Sequence, residues 1–144
     1  MSYTKRNCLY ALNSILALFC GLFIYLTKRE DTLVAHLLSS LRSLMPVIDY
    51  PAAIRNFAAD FLWTYSMFFC LRLTLGDDLC GKYNSFVFLL TAIVAVVIEC
   101  LQLTKVFPGT FDLLDIIAEL SAAAVAFFIS NIIERRNHCY EEDQ

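Results

Sequence analysis

Four long stretches of this chain are almost free of charge, and short polar segments separate them. Residues 9–26 (LYALNSILALFCGLFIYL) carry no Asp, Glu, Lys or Arg and end at Lys28-Arg29-Glu30-Asp31. Residues 56–75, 84–104 and 111–133 repeat the pattern, and each is about long enough to cross a hydrocarbon core of roughly 30 Å as a helix. Residues 32–45 read differently. Leu33, Val34, Leu37, Leu38, Leu41, Leu44 and Met45 recur at three-to-four spacing, Ser39, Arg42 and Ser43 fall mainly on the other side, and Pro46 stops the run. That pattern predicts an interfacial amphipathic helix. A further crossing is the rival, because only His36 and Arg42 interrupt the segment. Residues 134–144 form a charged C-terminal tail. The expected fold is all-α: a membrane helical bundle of about four transmembrane helices plus one interfacial amphipathic helix, with residues 1–133 as one bundle.

Composition strengthens this reading. Of 144 residues, 59% are hydrophobic and 17% charged, whereas a soluble domain runs at about 45–50% apolar and about 25% charged. The net charge of −3 and scattered basic residues point away from nucleic acid. Six cysteines lack CxxC or other metal spacing, so neither a disulfide framework nor a zinc site is expected, and no cofactor. A secretory signal is the rival for the first stretch, but its apolar core is long and no small-residue cleavage site precedes the charges.

Within these apolar stretches ionisable groups are expensive, roughly 2.5–3.5 kcal/mol each on insertion scales, and they usually mark a site. Residues 99–119 concentrate them: Glu99 and Gln102 end the third stretch, and Asp112, Asp115 and Glu119 open the fourth after the Pro108-Gly109 turn. Spacings of three and four put each group on one helix side. Helices that alternate in direction bring Arg55 and Asp60, at the start of the second stretch, to the same membrane face. The candidate ligand-binding set is therefore Arg55, Asp60, Glu99, Gln102, Asp112, Asp115 and Glu119, with no metal assigned. Plain structural roles compete. Thr110 can cap the fourth helix and Asp112 suits its positive end; Asp60 can pair with Arg55; Gln102 can bond between helices; Arg72 can snorkel outward. His36, His138, Trp63 and Tyr65 read as surface or interface residues. Glu99 and Asp115 are hardest to explain structurally, because adjacent carboxylates repel unless a proton, a cation or a metal relieves them. Basic flanking residues divide evenly between the two sides, and only the Lys5-Arg6 and Arg135-Arg136 pairs tip the expectation to cytoplasmic termini.

The E-x-x-Q of Glu99 and Gln102, a short turn, and the D-x-x-D of Asp112 and Asp115 resemble the VanZ-like family of small polytopic membrane proteins. RNFAADFLWTYS (residues 55–66) and PGTFDLLDII (residues 108–117) resemble a divergent branch, and the likeness covers roughly residues 50–133. Thr110, Glu119 and Ala122 stand where the family more often has Arg, Asn and Gly. The resemblance implies a bacterial cell-envelope setting and a connection to resistance against the glycopeptide teicoplanin; it implies no established reaction. The expected function is a membrane protein that binds a polar or lipid-headgroup ligand in an acidic pocket. Its partners would be membrane lipid, an envelope lipid or small molecule, and a second copy in a homo-oligomer. The alternatives are a membrane enzyme acting on a lipid-linked phosphate with a divalent metal, and a small proton-coupled transporter.

Overall fold

The computed structural model of the chain describes residues 3–28, 37–75, 82–104 and 112–142. These form α1 (Tyr3–Thr27), a short α2 (Ser39–Arg42), a π-helical segment (Ile54–Ala58) that runs into α3 (Ala59–Leu75), α4 (Lys82–Leu103) and α5 (Leu113–Glu142). Three of these helices are long and apolar enough to cross a membrane, over Lys5–Thr27, Asn84–Leu103 and Leu113–Arg135. α3 has 17 residues and is lengthened by the five π-helical residues before it. It is the central helix, packed against α1, α4 and α5.

Side-chain pairs fix the helix directions. Ser14 meets Ser66, Asn13 meets Tyr65 and Tyr25 meets Asp60, so α1 and α3 are antiparallel. Arg72 meets Asn84 across the α3–α4 connection, and Asn84 meets Asn131 late in α5. The four long elements therefore alternate, and one end of the bundle collects the close of α1, the start of α3, the close of α4 and the start of α5.

The core is aromatic at one level and small at another. Tyr10, Phe68, Phe69, Val87 and Ala126 are buried together, with Phe69 ringed by Tyr10, Tyr65 and Phe68 at centroid distances of 5.6, 5.0 and 5.5 Å. Tyr65, expected at an interface, instead turns inward and donates to Asn13 Oδ1 at 2.7 Å. Ala122, Ala123 and Ala126 are fully buried on α5, as small residues must be where helices approach closely without a hydrophobic drive. Large apolar side chains also cover the outside, among them Leu16, Phe19, Phe86, Leu89 and Phe128. That much exposed hydrocarbon suits a bundle facing lipid better than one facing water.

Gly21 gives a local check. A Cβ built there would lie 3.5 Å from the Leu62 Cβ and 3.6 Å from the Ala59 carbonyl, which is ordinary contact. Gly21→Ala should stabilise the fold by about 1 kcal/mol through helix propensity, read as a higher unfolding midpoint in detergent.

Two elements differ from the sequence pattern. Of the interfacial helix expected over 32–45, residues 32–36 lie outside the described residues; Leu37 is helical, and the turn of α2 follows before the chain bends at Met45. The Ser43 hydroxyl donates to the Ser40 carbonyl at 2.8 Å, the kind of local bond that competes with helix. The segment then hooks back, with Ile48 N donating to Thr27 O at 2.8 Å and Thr27 Oγ1 2.8 Å from the Tyr50 hydroxyl. The chain thus returns to the end of the bundle that it left. At the other terminus α5 continues through Glu142, so the helix extends beyond the span expected at 111–133 into the charged tail.

Candidate functional site

The end of the bundle where α4 closes and α5 opens holds most of the expected acids. Asp112 is the N-cap of α5: its Oδ1 accepts from Leu114 N at 2.9 Å. It is exposed. Thr110, the expected cap, lies outside the described residues. Asp112→Ala should cost about 1 kcal/mol and Asp112→Asn nearly nothing, read from thermal unfolding of the purified protein.

Behind that cap the carboxylates become progressively more enclosed. Asp115 is half-buried, Glu119 is 8% exposed, and Glu99 on α4 is 4% exposed. Glu119 lies within charge range of Glu99, Asp60 and Asp115, and Asp115 within range of Asp60, Glu99 and Asp112. The Asp112 backbone hydrogen-bonds Glu99. Even so, Glu99 Oε2 and Glu119 Oε2 are both buried without a hydrogen-bond partner. A buried, unsatisfied polar atom costs about 1–3 kcal/mol, more when charged. Both oxygens belong to the same group of acids. Of the other expected site residues, Gln102 is half-buried and Arg55 directs its Nε to Asn56 Oδ1 at 3.3 Å.

α1 contributes two residues that the sequence pattern left out. The Tyr25 hydroxyl donates to Asp60 Oδ1 at 2.7 Å. Lys28, 8% exposed, sets its Nζ 4.7 Å above the Tyr25 ring centroid and lies within charge range of Asp115. The signal for both was the alternation of helix directions, which brings the close of α1 to this same end. Tyr25→Phe leaves Asp60 without that donor and should destabilise the protein by about 1.5–3 kcal/mol, measured by denaturant unfolding. On the far side of the α1 end, an apolar groove of about 700 Å³ runs between α1 and the returning segment, lined by Phe19, Phe23, Leu26, Leu41, Met45 and Ile54 among others.

The opposite end of the bundle holds a second polar network, and this one is satisfied. Arg72 is 6% exposed rather than snorkelling outward. One of its nitrogens donates to Glu134 Oε1 at 2.7 Å and its Nε to Asn84 Oδ1 at 2.9 Å. Asn84 Nδ2 reaches Glu134 Oε2 and Asn131 Oδ1, each at 2.8 Å. The Ser130 hydroxyl lies 3.0 Å from Asn84 Oδ1 and 3.1 Å from the Tyr10 hydroxyl, sharing its one proton between them, and Tyr10 donates to Glu134. The outward reading of Arg72 fails because Glu134 supplies a buried counter-charge one helix away. This network ties α1, α3, α4 and α5 together.

Among the described residues no three His, Cys, Asp or Glu side chains converge as a metal site requires. The four described cysteines, Cys8, Cys20, Cys70 and Cys100, are free and exposed. Comparison with known protein families, with curated proteins and with solved structures gives no match.

Proposed function

We propose that this chain is an integral membrane binding protein whose acidic chamber, formed by Asp60, Glu99, Asp115 and Glu119, receives a polar, hydrogen-bond-donating ligand at headgroup depth. One observation carries the reading: Glu99 and Glu119 are buried on neighbouring helices with an unpartnered oxygen each. A structural ion network would be expected to satisfy those atoms, as the Arg72–Glu134 network does at the other end. Four crossings, with α3 and its π-helical lead as the fourth, give the apolar exterior its lipid contact. π-helical turns are frequent at functional sites, and this one leads directly to Asp60.

The ligand class that fits best is an envelope lipid. Its headgroup enters the chamber, and the apolar groove beside the α1 end offers an acyl chain a seat. A divergent place in the VanZ-like family, a bacterial cell envelope, and cytoplasmic termini with the chamber on the outer side complete the proposal. The enzyme alternative is weaker, because phosphate would meet carboxylates on every side with no converging metal ligands.

The test is a Glu99→Gln, Glu119→Gln double variant expressed at normal level. Lipid retained through purification should fall, and sensitivity to envelope-directed drugs such as teicoplanin should change. A variant that keeps both its lipid complement and its drug sensitivity removes the proposal.

A further inference from the structure

We propose that the group this chamber recognises is an ammonium bearing N–H donors, held by Glu99 and Glu119. The inference rests on the reading of the chamber as a binding site and names the chemistry of its ligand. Ionised carboxylates only accept hydrogen bonds, so the two unpartnered oxygens, Glu99 Oε2 and Glu119 Oε2, call for donors. Asp60 and Asp115 stand within charge range of Glu119, and Asp112 lies at the mouth, so an anionic or neutral group would meet net repulsion or leave the charge uncompensated.

Geometry separates the possible cations. A hard metal ion held without a water shell draws several protein oxygens to within about 2.0–2.6 Å of one point, and no three candidate ligands among the described residues converge in that way. An ammonium spans a wider gap, with N···O distances of about 2.7–2.9 Å along each N–H. It can therefore serve carboxylates on two different helices. The chamber already holds one such group. Lys28 rests its ammonium on the Tyr25 ring at 4.7 Å, and the Tyr25 hydroxyl is bonded to Asp60. An aromatic face backed by carboxylates is a recognised way of holding an organic cation. Lys28 is thus a tethered relative of the proposed ligand, while Glu99 Oε2 and Glu119 Oε2 still lack a donor. A quaternary ammonium has no N–H and cannot satisfy them.

The experiment uses the full chain in detergent micelles and follows its unfolding midpoint while phospholipids of identical acyl chains are added. The probes are an ethanolamine headgroup, a choline headgroup and a glycerol headgroup, with free ethanolamine and Mg²⁺ as separate arms. The ethanolamine lipid should bind at least about tenfold more tightly than the choline lipid, since only the former supplies N–H donors. Glu99→Gln with Glu119→Gln should erase that difference. Lys28→Met, which removes the tethered cation, should tighten ethanolamine-lipid binding. Equal stabilisation by free ethanolamine supports the ammonium and assigns a soluble source. Equal binding of choline and ethanolamine lipids overturns the N–H ammonium but leaves a headgroup site standing, as does preferential binding of the glycerol lipid or Mg²⁺ that the double variant abolishes. If no probe binds, both the ammonium and the binding site fall. The headgroup comparison uses the unmodified chain, so it does not depend on any variant folding.

Discussion

Replacing Arg72 with methionine is expected to destabilise the bundle by about 3–5 kcal/mol, the usual cost of breaking a buried ion pair from one side. Methionine keeps most of the aliphatic volume, so the loss reports charge and hydrogen bonding rather than a cavity. It removes the 2.7 Å contact with Glu134 and the 2.9 Å bond to Asn84 together. Glu134 is then left as a partly enclosed carboxylate without the Arg72 charge, with neutral donors from Asn84 and Tyr10. Glu134→Gln should cost less, about 1–3 kcal/mol, because an amide oxygen can keep one of those bonds. Arg72→Met combined with Glu134→Leu should recover much of the loss, since removing both charges leaves neither stranded. Denaturant unfolding of these proteins together with the Glu134→Leu single variant in one detergent closes the cycle and gives its coupling energy. A loss below about 1 kcal/mol for Arg72→Met would mean that water, not Glu134, satisfies the guanidinium.

Why that network was invisible in the sequence is instructive. Uncharged stretches of the right length mark the long apolar helices, and the alternation of directions alone places Asp60, Glu99, Asp112, Asp115 and Glu119 at one end. The same alternation puts the close of α3, the start of α4 and the close of α5 at the opposite end. Arg72, Asn84 and Glu134 could have been grouped by it. What hid them is that α3 is apolar on all sides, so periodicity could not say whether Arg72 turned inward or out. Glu134, beside Arg135 and Arg136, read as the first residue of a tail. Residues 32–45 are described only from Leu37 on, where a helical residue and the turn of α2 precede the bends. Their leucine spacing is helical, but Ser39, Ser40 and Ser43 offer the backbone local alternatives, and the hook back to Thr27 sets the path. The capping error at Thr110 against Asp112 is the ordinary uncertainty of one or two residues at a helix start.

The acidic chamber should respond to neutralisation in the opposite direction from Arg72. Glu99→Gln with Glu119→Gln is expected to stabilise the ligand-free protein by about 1–3 kcal/mol, because it removes two buried charges and replaces acceptor-only groups with amides that can also donate. Glu99 and Glu119 are 4% and 8% exposed, and each keeps an unpartnered oxygen. The Asp112 backbone bond to Glu99 offsets only part of this desolvation, and a ligand would have to supply the rest. Sites built for binding commonly sacrifice stability in this way. If the two glutamates instead served as glue between α4 and α5, their replacement would weaken the fold by about 0.6 kcal/mol per lost bond or more. The sign of the change thus separates a binding chamber from a structural contact. The measurement is the unfolding midpoint of both proteins after exhaustive delipidation, compared with the same midpoints after lipid is restored. A binding chamber predicts that the double variant is the more stable protein without lipid and gains less when lipid returns. A variant that is less stable in both states would assign Glu99 and Glu119 to helix packing and leave the chamber without a function.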